Sequence, residues 1–157
     1  MPLEVFLMRS FSRLFVALSL AIGCSTHVAS AADSTNMNTT MPKELAALLK
    51  SKSAKPLLLY VGPHMLYTQA HIPGSDYIGM GSTPQGLQNL VKRVSALPKN
   101  QPIVLYCGCC PWSHCPNVNP AYDALTKLGF TRVNVLYLAN NFGTDWVEKG
   151  YPTDKGE

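Results

Sequence analysis

The 157-residue chain carries 13 Lys and Arg against 9 Asp and Glu, a formal charge of +4, and 46% of its residues are hydrophobic. Length and composition fit one small domain. The basic residues form no run or stripe suited to a phosphate backbone, which argues against a nucleic-acid partner.

In chain order, Arg9 and Arg13 precede an apolar run from Leu14 to Ile22, and Ala29-Ser30-Ala31 follows as an A-x-A cleavage site. This pattern predicts a signal peptide over residues 1–31, cleaved after Ala31, and an exported, periplasmic protein. The run is shorter than the ~20 residues of a membrane-spanning helix, so no stable membrane partner is expected. Cys24, after Ala21-Ile22-Gly23, offers a lipoprotein alternative, although leucine would be expected where Ala21 stands. Loss of Glu4, Arg9 and Arg13 with the leader changes the formal charge from +4 to +3. Residues 32–40 are small and polar without apolar period and read as a flexible tether to a domain over 41–157.

Thr40 or a neighbour is expected to cap a first helix with Pro42 in its opening turn and Leu45, Leu48 and Leu49 on one face. Leu57 to Val61 is a continuous apolar run of buried-strand length. His64, after Gly62-Pro63, reads as part of a turn. In the block His71-Ile-Pro-Gly74, the histidine is expected to hold a loop through a hydrogen bond. Ser82 or Thr83, then Pro84 and the spacing Leu87, Leu90, Val91, Val94, mark a second helix. It returns through Leu97-Pro98 to the strand Ile103 to Tyr106.

Directly after that strand come four cysteines, Cys107, Cys109, Cys110 and Cys115, in the segment Cys-Gly-Cys-Cys-Pro-Trp-Ser-His-Cys. A thiol at a strand end before a helix lies where backbone N–H groups and the helix dipole converge, and both are expected to lower the pKa of Cys107. Asn117 or Asn119 is a plausible N-cap for the following helix, with Pro120 in its first turn. Ala121, Leu125 and Leu128 form a partial apolar face, and Gly129 stands at the stop. If the first turn begins near Cys115, its unpaired N–H groups face the loop and hold an anion. Val133 to Leu138 supplies a further buried strand, and Trp146 and Tyr151 read as packing residues. Alternating helices and continuous apolar strands, without repeat or second domain, imply a parallel sheet covered on both faces. Ligands of open α/β sheets bind outside the carboxyl ends of strands, where Cys107 falls.

Four blocks in order resemble the rhodanese-like family: Lys43 to Val61; Tyr67-Thr-Gln-Ala-His71-Ile-Pro-Gly74-Ser; the strand ending at Cys107; and Gly129-Phe with Val133 to Leu138, Trp146 and Gly150-Tyr-Pro152. The resemblance implies an α/β three-layer fold, with a central, mainly parallel sheet and helices on both faces. It also implies a sulfurtransferase whose nucleophile is Cys107 and whose site needs no cofactor. The substrate loop would then comprise Gly108, Cys109, Cys110, Trp112, Ser113, His114 and Cys115, with support from His71 and Gly74. The partners implied are a small sulfane-sulfur donor and an acceptor thiol or thioredoxin-like reductant.

The chain departs from the family in three places. Rhodanese-like phosphatases and arsenate reductases carry an arginine six positions after the nucleophile, where this chain has Ser113, and no Lys or Arg occurs from Cys107 to Thr126. Oxyanion chemistry and efficient use of thiosulfate, a dianion, are therefore disfavoured. The family's Asp-x-Arg pair after the first core strand is replaced by Tyr60-Val61-Gly62, and the glycine pair before the late tryptophan by Asn140-Asn141-Phe142-Gly143. The extra cysteines suggest that one of them attacks a Cys107 persulfide to give an internal disulfide and sulfide. Two other readings stand beside this: a Cu or Zn module using the thiols with His114, and a non-catalytic binding domain with a disulfide-stapled loop.

Overall fold

The computed structural model describes residues 37–157; the expected signal peptide, Cys24 and most of the tether lie outside the described residues. Five strands form one parallel sheet in the order β1-β5-β4-β2-β3: β1 Thr39–Thr40, β2 Leu57–Tyr60, β3 Asp76–Tyr77, β4 Ile103–Tyr106 and β5 Val133–Leu136. Four helices connect them: α1 Pro42–Lys50, α2 His64–Gln69, α3 Pro84–Val94 and α4 Val118–Lys127. A short 3-10 turn, Trp112–His114, and a π-helical turn, Gly143–Val147, complete the set. This is the α/β three-layer architecture that the resemblance implies, with helices on both faces of the sheet.

The two layers follow from the side-chain period of a strand. In β4, Ile103 and Leu105 pack with Leu90, Val94, Ala121 and Leu125 from α3 and α4. Val104 and Tyr106 face the other way, toward Leu45, Ile72 and Trp146. Alternation carried one step further turns Cys107 to the α3 and α4 side, against Val118 at the start of α4. The site therefore lies at the carboxyl end of the central strand, on the face that α4 covers.

Most sequence-based elements appear with small changes. Thr39–Thr40 of the expected tether is an edge strand, because its β-branched residues reach the register of Val135 and Leu136 on β5. Met41 is the N-cap of α1, its N–H donating to the Glu44 carboxylate at 3.1 Å. In that helix Leu45 and Ala46 are buried while Leu48 is exposed, so the apolar stripe is rotated from the expected one. Val91 of α3 is exposed as well, and the buried line is Gly86, Leu90 and Val94. Thr83 caps α3, its Oγ1 accepting from the Gly86 N–H at 3.1 Å. His64 opens α2, because Pro63 supplies an extended N-cap conformation; the turn expected there is a helix.

His71 is buried, stacks on Tyr67 with ring centroids 4.0 Å apart, and places its Nδ1 3.0 Å from the Tyr67 carbonyl. Its backbone exchanges two hydrogen bonds with Asp154, fastening the C-terminal tail. Gly74 turns the chain at φ 75°, a conformation that favours glycine. Tyr106, fully buried, accepts from the Ile72 N–H at 3.1 Å and pairs with Ser75 Oγ at 2.6 Å. Its phenol thus joins β4 to the His-Ile-Pro-Gly loop.

Replacing Tyr106 with Phe keeps the ring but leaves a buried N–H and a buried hydroxyl without that partner. We expect Tyr106→Phe to lower stability by about 1–3 kcal/mol, seen as a lower urea midpoint at unchanged slope. An unchanged midpoint would show that other groups satisfy both.

Candidate active site

The four loop cysteines are free thiols. Cys107 is 5% exposed, whereas Cys109, Cys110 and Cys115 are each half-buried. The sulfurs of Cys107 and Cys109 are 3.3 Å apart, and those of Cys109 and Cys110 are 2.8 Å apart. Cys107, Cys109 and Cys115 bring their sulfurs within 4.8 Å of one another.

Two close backbone approaches make this packing possible. A Cβ on Gly62 would lie 2.9 Å from the Cys107 sulfur and against the Tyr60 ring, and one on Gly108 would lie 2.5 Å from Cβ of Phe142. Gly62 therefore provides room for the Cys107 sulfur. Tyr60 is buried, and burial followed by the neighbouring Cys107 raises its phenol pKa, so it remains neutral. A cleft of about 340 Å³ opens beside the loop, lined by Tyr60, Leu66, Gly108, Cys109, Phe142 and Val147 among others. Cys109 lines the cleft, and the buried Cys107 sulfur lies 3.3 Å from that of Cys109.

Helix α4 starts at Val118, two residues after Pro116, so its first N–H groups point back into the loop. Cys115, and not Cys107, takes them. Its pKa is lowered to about 6, first by the S–H of Cys107 donating to its sulfur, against the opposing effect of burial, and then by the N–H groups of Asn117 and Val118. The Cys107 thiol is held protonated by the complementary effect: donation to Cys115 is the largest cause, followed by its own burial and the nearby Cys115 charge, only partly offset by the Cys109 N–H. Burial and contact with Cys109 push Cys110 up to about 12. The lowered pKa expected at Cys107 is thus found eight positions later, because the N–H groups at the start of α4 face Cys115.

Asn117 was legible only as a helix cap, and its side chain makes no capping bond. The carboxamide instead bridges two loops. Its Oδ1 accepts from the Ser82 N–H at 3.2 Å and the Ser82 hydroxyl at 2.8 Å, while its Nδ2 donates to the sulfurs of Cys107 at 3.5 Å and Cys109 at 3.8 Å. A Cβ on Gly81 would lie 2.1 Å from the Asn117 carbonyl oxygen, so a glycine lets the two loops meet. An asparagine two residues after Cys115 was the available signal; the direction of its amide was not.

The other expected loop residues divide. Trp112 packs the loop against the segment after β5, its ring 5.2 Å from that of Tyr137 and its backbone N–H donating to the Leu138 carbonyl at 3.1 Å. Ser113 and His114 are exposed and hydrogen-bond to each other at 2.8 Å, so neither is joined to the thiols. His114 therefore stands outside the three-sulfur group in which a metal reading placed it.

Because thiolate is the reactive form, alkylation of the reduced protein should rise with pH. We expect labelling of Cys115 by iodoacetamide to have its midpoint near pH 6, while Cys107 stays unlabelled through neutral pH. Peptide mapping that finds Cys107 labelled first would reverse the assignment of charge.

The rhodanese-like domain model matches residues 41–142. Among solved structures, the chain is similar to the rhodanese-like domain of an Anabaena protein, with 22% identity and TM-score 0.57 over 74% of this chain and 78% of that one. It is also similar to a Bacillus halodurans protein, with 21% identity and TM-score 0.58 over 75% of this chain and 77% of that one. A thiosulfate sulfurtransferase from Pseudomonas aeruginosa shares 23% identity and TM-score 0.51 over 77% of this chain, which spans 20% of that larger protein. These likenesses are of fold. No curated protein matches the sequence.

Proposed function

The chain belongs to the rhodanese-like domain family, and from that premise we propose that it transfers sulfane sulfur through Cys107, with Cys115 as proton acceptor and then as resolving thiol. The observation that carries this reading is the convergence of the Cys107, Cys109 and Cys115 sulfurs within 4.8 Å of one another at the end of β4, with Cys115 three residues before the first residue of α4. At rest the pair shares one proton, held on Cys107, and one negative charge, held on Cys115.

A donor R–S–SH enters the cleft beside Cys109. The Cys107 sulfur attacks the outer sulfur of the donor, its proton passes to Cys115, and R–S⁻ leaves, giving Cys107–S–SH and neutral Cys115. The Cys109 N–H and Asn117 Nδ2 that now face the Cys107 sulfur support charge on it. From this covalent intermediate two exits are open. An external thiolate attacks the outer sulfur and carries it away, restoring Cys107. Alternatively Cys115 gives up its proton to water and the resulting thiolate attacks the inner sulfur, forming a Cys107–Cys115 disulfide and releasing HS⁻. A thioredoxin-like dithiol then reduces that disulfide and is itself oxidised. Export through the leader read over residues 1–31 belongs to the same proposal and makes an external reductant necessary, because exported thiols meet an oxidising compartment.

Donor preference follows from charge. With no Lys or Arg between Cys107 and Thr126, binding of an anionic donor rests on N–H groups alone, so glutathione persulfide or polysulfide should turn over faster than thiosulfate. A higher thiosulfate rate would contradict this.

With a persulfide donor, Cys107→Ser is expected to gain no sulfur atom by intact mass. Cys115→Ser, lacking the proton acceptor, is expected to form the persulfide more slowly and to release sulfide roughly tenfold more slowly or worse, since the resolving thiol it lacks acts at about millimolar effective concentration. Parental sulfide release from Cys115→Ser would remove its resolving role, and full sulfur uptake by Cys107→Ser would remove the nucleophile.

A further inference from the structure

We infer that the reduced loop is also a three-thiolate site for one monovalent copper ion, held by Cys107, Cys109 and Cys115. The inference concerns these thiols in the absence of any sulfur donor and goes beyond sulfur transfer. Three features of the structure lead to it.

The first is distance. An ion bound in the plane of three sulfurs at a metal–sulfur length of ~2.3 Å needs those sulfurs ~4 Å apart. Here the three lie within 4.8 Å of one another, and the Cys107–Cys109 pair is at 3.3 Å. Shifts of less than ~1 Å bring all three to that spacing, which side-chain rotation in a loop supplies without moving β4 or α4.

The second is the donor set. Among the described residues, the group that converges contains sulfur only. His114 is turned to Ser113 in solvent, and Asp123 is the first carboxylate after the loop. Cys110 touches Cys109 at 2.8 Å but stands outside the convergent set. Three soft ligands without a hard fourth suit Cu(I), which thiolates select, better than Zn(II), whose structural sites are four-coordinate.

The third is the support around the sulfurs. The Cys109 N–H faces Cys107, the N–H groups of Asn117 and Val118 face Cys115, and Asn117 Nδ2 reaches both Cys107 and Cys109. Outer-shell donors of this kind orient metal ligands and stabilise the negative charge they retain. No Lys or Arg in the loop competes with an incoming cation for the thiolates.

The test is anaerobic titration of the fully reduced protein with Cu(I) against a chromogenic Cu(I) chelator, followed by X-ray absorption of the loaded protein. The expected result is one ion retained per chain, with three sulfur neighbours at ~2.3 Å. Cys115→Ser and Cys109→Ser should each weaken retention by more than ~10-fold, the lower end of what loss of an outer-shell partner already costs. Cys110→Ser and His114→Ala should retain copper like the parent. Urea midpoints matching the parent ensure that weakened binding reports a lost ligand and not an unfolded loop. Absence of stoichiometric retention by the parent, a four-ligand spectrum, or an equal loss in Cys110→Ser would each overturn the site. Copper retention involves no persulfide, so its outcome and that of the sulfur-transfer assay are read separately.

Discussion

The N-terminus of α4 has N–H groups that no earlier turn of the helix can satisfy, and those of Asn117 and Val118 face the Cys115 sulfur. Which sulfur accepts them decides the electrostatics of the whole loop. Cys115 stands three residues before Val118, accepts from the N–H groups of Asn117 and Val118, and has its pKa lowered to about 6. Cys107 arrives from β4, buried and one sulfur away, and becomes the proton donor to it. The same N–H groups that would otherwise cradle a bound anion are thus partly occupied by the protein's own thiolate. With Tyr60 neutral and no cation in the loop, only the Cys109 N–H and Asn117 Nδ2 draw charge toward Cys107.

This division of charge depends on packing remote from the sulfurs. The pleat of β4 turns Cys107 toward α4, while Tyr106 on the opposite face is tied to Ser75 and Ile72. Gly62 and Gly81 permit contacts that any Cβ would block, one at the Cys107 sulfur and one at the Asn117 carbonyl. Ser82 holds the Asn117 amide so that its nitrogen points at Cys107 and Cys109.

Much of the fold was legible in the sequence. β4 was read over its full length because Ile103 to Tyr106 is apolar throughout and bounded by a proline and a cysteine. The α3 cap was equally clear, since Thr83-Pro84 combines a side-chain acceptor with a fixed φ. The two-residue strands β1 and β3 were missed because so short a pairing has no periodicity and depends on register with a neighbour. At the site, the cysteine cluster and the possibility of an anion at the helix start could be read directly. What composition could not settle was which thiol would lie on that helix terminus, since a shift of one or two residues in the start of α4 changes the recipient. The role of Asn117 was hidden for the same reason: an asparagine before a helix is ordinarily a cap, and only the approach of Ser82 turns its amide toward the thiols.

The central claim is that Cys107 and Cys115 act as one chemical pair. It is tested most directly by peptide-mapped mass spectrometry of the reduced protein after one equivalent of a persulfide donor under anaerobic conditions. The account predicts a transient extra sulfur on Cys107, followed by loss of two hydrogen atoms, release of sulfide, and a crosslinked peptide joining Cys107 to Cys115. A major product joining Cys109 to Cys110, or a persulfide that accumulates on Cys115 and never on Cys107, would contradict it.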